Sequence, residues 1–259
     1  MGKRRGVKGR IRFYRRKLEC RGRLFLIAIA TCLICLLVSP VTATIVPNSP
    51  DQPLSTAQTL DPLQIGKDAY DAGRYEQAVQ ALEQAVQNFR VTGDRPQLAA
   101  TLANLSLAYQ QLGQWDKAEQ AIAESLDLLS NSQSSANSQE RQQFAEVRAQ
   151  ALDVQGRLQL STGKGDQALI TWQEAEKIYR QLNNPNGVTK ARLNQAQALR
   201  SQGFYRRALD QLTALEQELQ QQPDSRQKIL TLRALGDALQ LVGDLNQSEA
   251  VLNQSLEIA

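Results

Sequence analysis

Five glycines recur along the chain at nearly constant spacing, and this period constrains the fold more than any other feature. The intervals are 40, 50, 40 and 40 residues, and the glycines are Gly73, Gly113, Gly163, Gly203 and Gly243. Periods of roughly 20–50 residues are typical of arrays in which each unit packs only on its neighbours. We therefore predict that this chain of 259 residues folds as five stacked units.

Each glycine is framed by small residues at two fixed distances. They lie seven residues before it and five after it: Gly66 and Ala78, Ser106 and Ala118, Gly156 and Ala168, Ala196 and Ala208, Gly236 and Ser248. Mostly large residues follow two and nine residues after the glycine: Tyr75 and Leu82, Trp115 and Ile122, Gly165 and Trp172, Tyr205 and Leu212, Leu245 and Leu252.

This pattern predicts a helical hairpin in each unit. The glycine ends the first helix in the left-handed conformation that other residues adopt at a cost, and the second helix begins two residues later. Small residues on the facing sides let the two backbones approach closely. The larger residues lie about two helical turns apart and are expected to fill one apolar stripe. A single hairpin leaves that stripe uncovered, so the hairpins must stack to bury it.

The first two units resemble the tetratricopeptide repeat. They read GKDAYDAGRYEQA at residues 66–78 and SLAYQQLGQWDKA at residues 106–118. The resemblance covers about residues 60–259, and it implies an all-α fold, a right-handed α-solenoid of about five helix-turn-helix repeats. These repeats are predicted near residues 62–92, 94–131, 140–183, 186–222 and 224–259.

The chain departs from the usual tetratricopeptide unit of about 34 residues. Its period of 40 residues predicts longer helices. Gln155 and Gln195 stand where other units have leucine or isoleucine, and Gly165 replaces an aromatic residue. The ten additional residues of the third unit are assigned to an exposed polar loop at residues 130–138.

The first 43 residues are predicted to be a basic leader followed by a hydrophobic signal peptide or signal anchor. Residues 1–23 carry a net charge of +10 in a chain whose total is +4, so the rest of the chain carries −6. An uncharged run follows at residues 24–38, and the small residues that end at Ala43 fit a signal peptidase site. Residues 44–61 are rich in proline and are predicted to form a tether.

The fate of this leader is open on sequence alone. Export of the Sec type is favoured, although Arg15 and Arg16 partly resemble a twin-arginine signal. Cleavage near Ala43 would release the body, whereas an uncleaved segment that reaches about Val46 would anchor it. We therefore expect the body in the periplasm, at the cell surface or held at the inner membrane. Because the net positive charge is confined to the leader and the rest of the chain is acidic, nucleic-acid binding is not expected.

Composition argues against catalysis. The chain has no histidine, which removes histidine-dependent nucleophiles and imidazole zinc sites, and its three cysteines all precede Ala43. The segment from Gly163 to Gly165 lacks the spacing of a phosphate-binding loop. The Asp and Glu residues of the chain are interpreted as parts of solvated helix faces. We predict no enzymatic activity, and no residue is assigned to catalysis, to a metal or to a cofactor.

Binding to a protein or peptide is the function that remains. In the tetratricopeptide family the first helices line a concave groove that commonly receives an extended segment or a helix of a partner. The resemblance points to an asparagine nine residues before the glycine, a position held by Asn104 and Asn194. Charged residues nearby favour an acidic or carboxylate-bearing partner. The predicted partner-binding set is Asn104, Asp153, Arg157, Lys190, Asn194, Arg200, Arg233 and Asp237.

The last unit has an apolar face without a polar capping helix, formed by residues such as Leu252, Leu256 and Ile258. We expect a second copy, a partner or a further part of a longer protein to cover it. Exported arrays of this kind resemble those that precede caspase-like CHAT protease domains. Two functions therefore stay open: a non-catalytic exported adaptor, and a truncated or regulatory half of a protease-type protein that acts through a separate effector.

Overall fold

Ten α-helices follow one another in residues 61–130 and 137–259, the part of the chain that this computed structural model describes. No strand occurs within these residues, and the predicted all-α solenoid of five helical hairpins is confirmed. The hairpins are α1 (Pro62–Asp71) with α2 (Tyr75–Thr92), α3 (Arg95–Gln111) with α4 (Trp115–Ser130), α5 (Ser138–Ser161) with α6 (Gly165–Gln181), α7 (Pro185–Ser201) with α8 (Tyr205–Gln220), and α9 (Arg226–Val242) with α10 (Leu245–Glu257).

In hairpins one, three and four the two helices begin in different ways, whereas in the fifth both helices have a side-chain cap. Each first helix follows a residue whose side-chain oxygen accepts a hydrogen bond from its first turn; these caps are Asp61, Asp94, Asn137, Asn184 and Ser225. A cap of this kind stabilises a helix by about 1 kcal/mol. The second helices α2, α6 and α8 have no side-chain cap and follow directly from the glycine turn.

The turns inside the hairpins are nearly constant in length, whereas the connections between hairpins are not. Three residues separate the helices in four hairpins, and two residues separate them in the fifth. The connections between hairpins contain two, seven, three and five residues. All five turn glycines have a positive φ, between 67° and 89°, as predicted. A side chain at these positions would strain the backbone.

The small residues seven positions before each glycine form the floor on which the second helix packs. A Cβ atom at Gly156 would lie 2.6 Å from the indole of Trp172, which occupies that space. Where the position is Ser106, its hydroxyl donates a hydrogen bond of 2.8 Å to the backbone oxygen of Ala118 on the facing helix. The predicted close approach of the two helices is therefore confirmed.

The prediction of one buried stripe is correct for one large position and wrong for the other. Trp172, nine residues after its glycine, is only 2% exposed. The residues two after the glycine are far more exposed: Trp115 at 42%, Tyr205 at 41% and Leu245 at 64%. They begin the second helix, so they lie at the turn, where only the end of the next hairpin is near. At Gly165 a Cβ atom would lie 2.8 Å from the hydroxyl of Ser201 in that next hairpin.

The first helices form an inner layer and the second helices an outer layer. Successive first helices approach each other, most closely where α3 packs on α5, and also where α7 packs on α9. No two second helices approach each other within the described residues. Because the inner layer is close-set and the outer layer is spread, the first helices lie on the concave side of the array.

The third hairpin carries its additional length in two places. α5 has 24 residues, against 17 in each of α3, α7 and α9. The connection before α5 is also the longest, with seven residues. Part of the additional length therefore lies in α5, and residues 131–136 of the predicted loop lie outside the described residues.

The leader predicted at residues 1–43 lies outside the described residues, and so does the tether at residues 44–61 apart from Asp61. In the described ranges no helix has both the length and the apolar character needed to cross a bilayer. Export and anchoring stay predictions from the sequence.

Candidate binding groove

A groove of about 1260 Å³ runs along the inner layer in the last three hairpins. α7 and α9 form its long walls, and α5 adds Gln150 and Arg157 at one side. The lining residues recur every three or four positions, as expected for one face of a helix. They include Asn186, Lys190, Leu193, Asn194, Gln197, Arg200 and Ser201 on α7, and Arg226, Gln227, Leu230, Ala234, Asp237 and Leu241 on α9.

The groove carries an excess of positive charge. Its charged lining residues are Arg157, Lys190, Arg200, Arg226 and Asp237. Arg200 is paired with Asp237 across the groove at 3.7 Å, and Lys190 is paired with a buried acid of α5. Arg157 and Arg226 are exposed and form no ion pair with any described residue. These two guanidinium groups are therefore available to a carboxylate.

The buried acid is Asp153, which lies behind the groove and is 4% exposed. Its Oδ2 accepts a hydrogen bond of 2.7 Å from the Tyr179 hydroxyl and pairs with the Lys190 ammonium at 2.9 Å. Its Oδ1 is buried without a partner in the described part of the chain. Burial and the charge of Asp153 raise the pKa of Tyr179, so its hydroxyl stays a donor at neutral pH. Asp153 thus positions Lys190 from behind the groove, and its predicted contact with a partner stays a prediction.

The two predicted asparagines share a register in the repeat but not an environment. Asn194 lines the groove on α7. Asn104 is half-buried on α3 and lies outside the groove, because α3 packs on α5. Arg233 is exposed on α9, also outside the groove. The groove thus brings together Arg157, Lys190, Asn194, Arg200 and Asp237.

Sequence reasoning found Asp237 but missed the rest of the wall that α9 contributes. Arg226, Leu230 and Leu241 line the groove there. They stand 17, 13 and 2 residues before Gly243, the same distances at which groove residues of α7 stand before their own glycine. These residues are found when the repeat register is applied to the whole inner face of the helix instead of to the single asparagine position. Tyr205 was missed because its position was assigned to the core.

The chemistry of the groove suits a peptide. Amide side chains donate and accept hydrogen bonds at once, which matches a peptide backbone, and guanidinium groups match carboxylates. Within residues 61–130 and 137–259, no group of three or more Cys, Asp or Glu side chains is arranged to hold a metal ion.

A comparison with known families agrees with the hairpin architecture. The family profile described as tetratricopeptide repeat matches residues 55–131, which include the first two hairpins. The remaining three hairpins repeat the same turns and packing. The first two hairpins thus match the tetratricopeptide repeat, and the described helices together have a fold of the tetratricopeptide type. No curated protein matches the chain by sequence.

Solved structures show the same tetratricopeptide fold over most of the chain. A putative kinesin light chain from Podosopora anserina, with nearly identical TPR-like repeats, has a TM-score of 0.60 at 18% identity and covers 76% of this chain and 92% of its own. A Rap protein complexed with Competence and Sporulation Factor has a TM-score of 0.62 at 14% identity, with 75% and 51% covered. The Rap conjugation gene regulator of the plasmid pLS20, in complex with the Phr* peptide, has a TM-score of 0.61 at 16% identity, with 81% and 59% covered. These identities show the fold alone, and this chain spans little more than half of each Rap protein.

Proposed function

We propose that this tetratricopeptide array is a non-catalytic scaffold that binds a peptide segment of a partner protein in the groove of α5, α7 and α9. The observation that carries the proposal is the positive groove, in which Arg157 and Arg226 are unpaired among the described residues. The two Rap proteins of the same fold were solved with Competence and Sporulation Factor and with the Phr* peptide. Those complexes support a peptide or protein as the kind of ligand.

The length of the groove sets the size of the segment. From Asn186 to Ser201 the α7 wall spans 15 positions, which is about 22 Å at roughly 1.5 Å per residue. An extended peptide rises about 3.3 Å per residue, so about seven residues fill the groove. Asn194 and Gln197 on this wall are placed to pair with the peptide backbone.

The distribution of charge favours an acidic segment. Arg157 and Arg226 offer their full charge, whereas Asp153 and Asp237 partly neutralise the other two cations of the groove. A guanidinium group binds a carboxylate through charge-assisted hydrogen bonds, which are about twice as strong as neutral ones. The expected segment therefore carries Asp, Glu or a terminal carboxylate.

Three finer proposals stand on the sequence. The scaffold works outside the cytoplasm, in the periplasm, at the cell surface or at the inner membrane. A second copy covers the apolar face of the last hairpin, where Leu256 is exposed, and light scattering that shows a monomer would exclude this. A regulatory role towards a protease-type effector requires that a protease co-purify with the chain.

A library of short random peptides displayed on phage tests the groove. We expect peptides selected on the full chain to be enriched in Asp and Glu. Fluorescent synthetic copies should bind the variant Arg157→Glu/Asn194→Ala at least about tenfold more weakly than the unaltered chain, because the variant loses an ion pair and an amide contact. Fluorescence anisotropy measures both affinities.

Asn104→Ala is the matched control for this test. Asn104 has the register of Asn194 but lies outside the groove, so the peptides should bind this variant as they bind the unaltered chain. A selection that yields no binding peptide would contradict the proposed function. Equal binding to the Arg157→Glu/Asn194→Ala variant would also contradict it.

A further inference from the structure

A second cleft opens at the turn of the fourth hairpin, and we call it the turn-four cleft. It encloses about 450 Å³, and its lining includes Phe204, Tyr205, Arg206 and Arg207 at the start of α8 and Leu241 and Val242 at the end of α9. Tyr205 and Leu241 line both this cleft and the groove. The cleft therefore adjoins one end of the groove.

The two arginines of the cleft stand where the fold gives no reason for positive charge. They occupy the first turn of α8, where the helix dipole disfavours cations. The first turns of α2, α4 and α6 carry the acids Glu76, Asp116 and Asp166 instead. Arg206 and Arg207 are exposed, and neither forms an ion pair with a described residue. Residues that break a local preference are typical of functional sites.

An exposed apolar wall lies beside these arginines. Phe204 and Leu241 are both nearly half exposed, and the Arg207 guanidinium lies 5.3 Å from the centre of the Phe204 ring. The residue directly after the turn glycine is polar in the other four hairpins: Arg74, Gln114, Lys164 and Asp244. Phe204 is therefore not required by the turn itself.

We propose that the turn-four cleft receives one end of the peptide segment that the groove binds, and that it selects an apolar side chain next to a carboxylate. The proposal rests on the proposed function, because the cleft adjoins the groove and receives one end of a segment already held there. The apolar side chain packs between Phe204 and Leu241, and the carboxylate pairs with Arg206 and Arg207. The carboxylate belongs either to an Asp or Glu side chain or to the C-terminus of the segment.

Peptides selected from the phage library on the full chain provide the probe. We expect them to share a bulky apolar residue next to Asp or Glu near one end. In a synthetic copy, changing that Asp or Glu to its amide should weaken binding to the unaltered chain about tenfold. The same change should weaken binding to the variant Arg206→Glu/Arg207→Glu less than about twofold, because this variant has already lost the contact.

Two further arms define the carboxylate and the apolar wall. A copy with an amidated C-terminus loses affinity only if the terminal carboxylate is the group that binds. A copy with the bulky apolar residue changed to alanine should lose about tenfold on the unaltered chain and less than about twofold on the variant Phe204→Ala.

The matched control is Arg74→Glu/Arg233→Glu, which makes the same change in net charge at two exposed arginines outside both cavities. It should retain the tenfold effect of the acid-to-amide change. The cleft proposal is wrong if the acid-to-amide change weakens binding equally to Arg206→Glu/Arg207→Glu and to the control, or if the selected peptides lack an apolar residue next to an acid. Either result leaves the proposed binding in the groove unaffected. If Arg157→Glu/Asn194→Ala leaves binding unchanged, the proposed function itself fails.

Discussion

Hairpins one and two are held together differently from hairpins three to five. The first two hairpins share with α5 one continuous apolar core, which reaches from Leu63 to Leu158. In the later hairpins the buried apolar residues fall into three separate clusters. The same repeat pattern thus supports two kinds of interior.

Buried and half-buried polar groups form hydrogen bonds within the later hairpins. Gln195 is 5% exposed, and its amide donates to the backbone oxygen of Trp172 at 3.2 Å and to Glu176 at 2.7 Å. Gln211 donates to the backbone oxygen of Arg192 at 2.8 Å. Buried amides are tolerated when they are hydrogen-bonded. Hydrogen bonds therefore contribute here what leucine contributes in the first hairpins.

The contrast explains where the groove lies. α3 packs on α5, and this contact occupies the inner surface of the first part of the array. α5 and α7 make only light contact, and the inner faces of α7 and α9 carry the polar residues that line the groove. The inner face of the array can either pack on a neighbouring helix or bind a partner. The first hairpins use it for packing, and the later hairpins use it for the groove.

Removing Trp172 should have the largest effect, because its cluster contains only three buried apolar residues. We expect Trp172→Ala to lower the free energy of unfolding by about 3–5 kcal/mol. Urea unfolding followed by circular dichroism measures the loss.

If the later clusters pack separately from the first core, the urea unfolding transition of this variant should also split into two. A single transition in which all hairpins unfold together would break the comparison. The control Trp115→Ala, at a partly exposed position, should cost less than about 1 kcal/mol.

An added methyl group at Gly156 should have an intermediate effect. Gly156→Ala is expected to cost about 1–3 kcal/mol, because its Cβ would lie 2.6 Å from the Trp172 indole. Hairpin four has alanine and leucine at the two equivalent positions, Ala196 and Leu212. The double variant Gly156→Ala/Trp172→Leu should therefore lose less than the sum of its single changes in the same unfolding experiment. Additive losses would show that these two positions do not share one space.

Replacing the buried amide of Gln195 should have the smallest effect, and it tests the difference between the two interiors most directly. Gln195→Leu is expected to cost about 1 kcal/mol, since it removes three hydrogen bonds but restores the leucine of other units. The reverse change in the first part, Leu105→Gln, should cost more, at about 1–3 kcal/mol, because it places an amide among the buried apolar residues of the first core. Thermal and urea unfolding of both variants decide the point. A Leu105→Gln chain as stable as the Gln195→Leu chain would remove the distinction between the two interiors.

The hairpins could be predicted from the sequence because their constraints act within one unit. A single pair of helices requires the left-handed turn glycine, and it also requires the small residue seven positions earlier, such as Gly156. The exposure of Trp115 and Tyr205 was not predicted, because it depends on how far the next hairpin covers the turn.

The groove could be predicted only in part because it depends on packing between units. Asn104 and Asn194 are equivalent in the repeat, yet the packing of α3 on α5 leaves only Asn194 in the groove. The ion pair between Lys190 and Asp153 joins two hairpins. A pattern that describes one repeat contains no information about such a pair.

The constant turns and variable connections described above give the array two unlike edges. The turn edge, which carries Phe204 and Tyr205, keeps the same dimensions in nearly every hairpin. The opposite edge already varies from two to seven residues between helices. An insertion, a label or a fused domain placed at residues 131–137 or 221–225 would enlarge that edge alone. New material can thus be grafted onto the molecule without reshaping the edge at which the turn-four cleft opens.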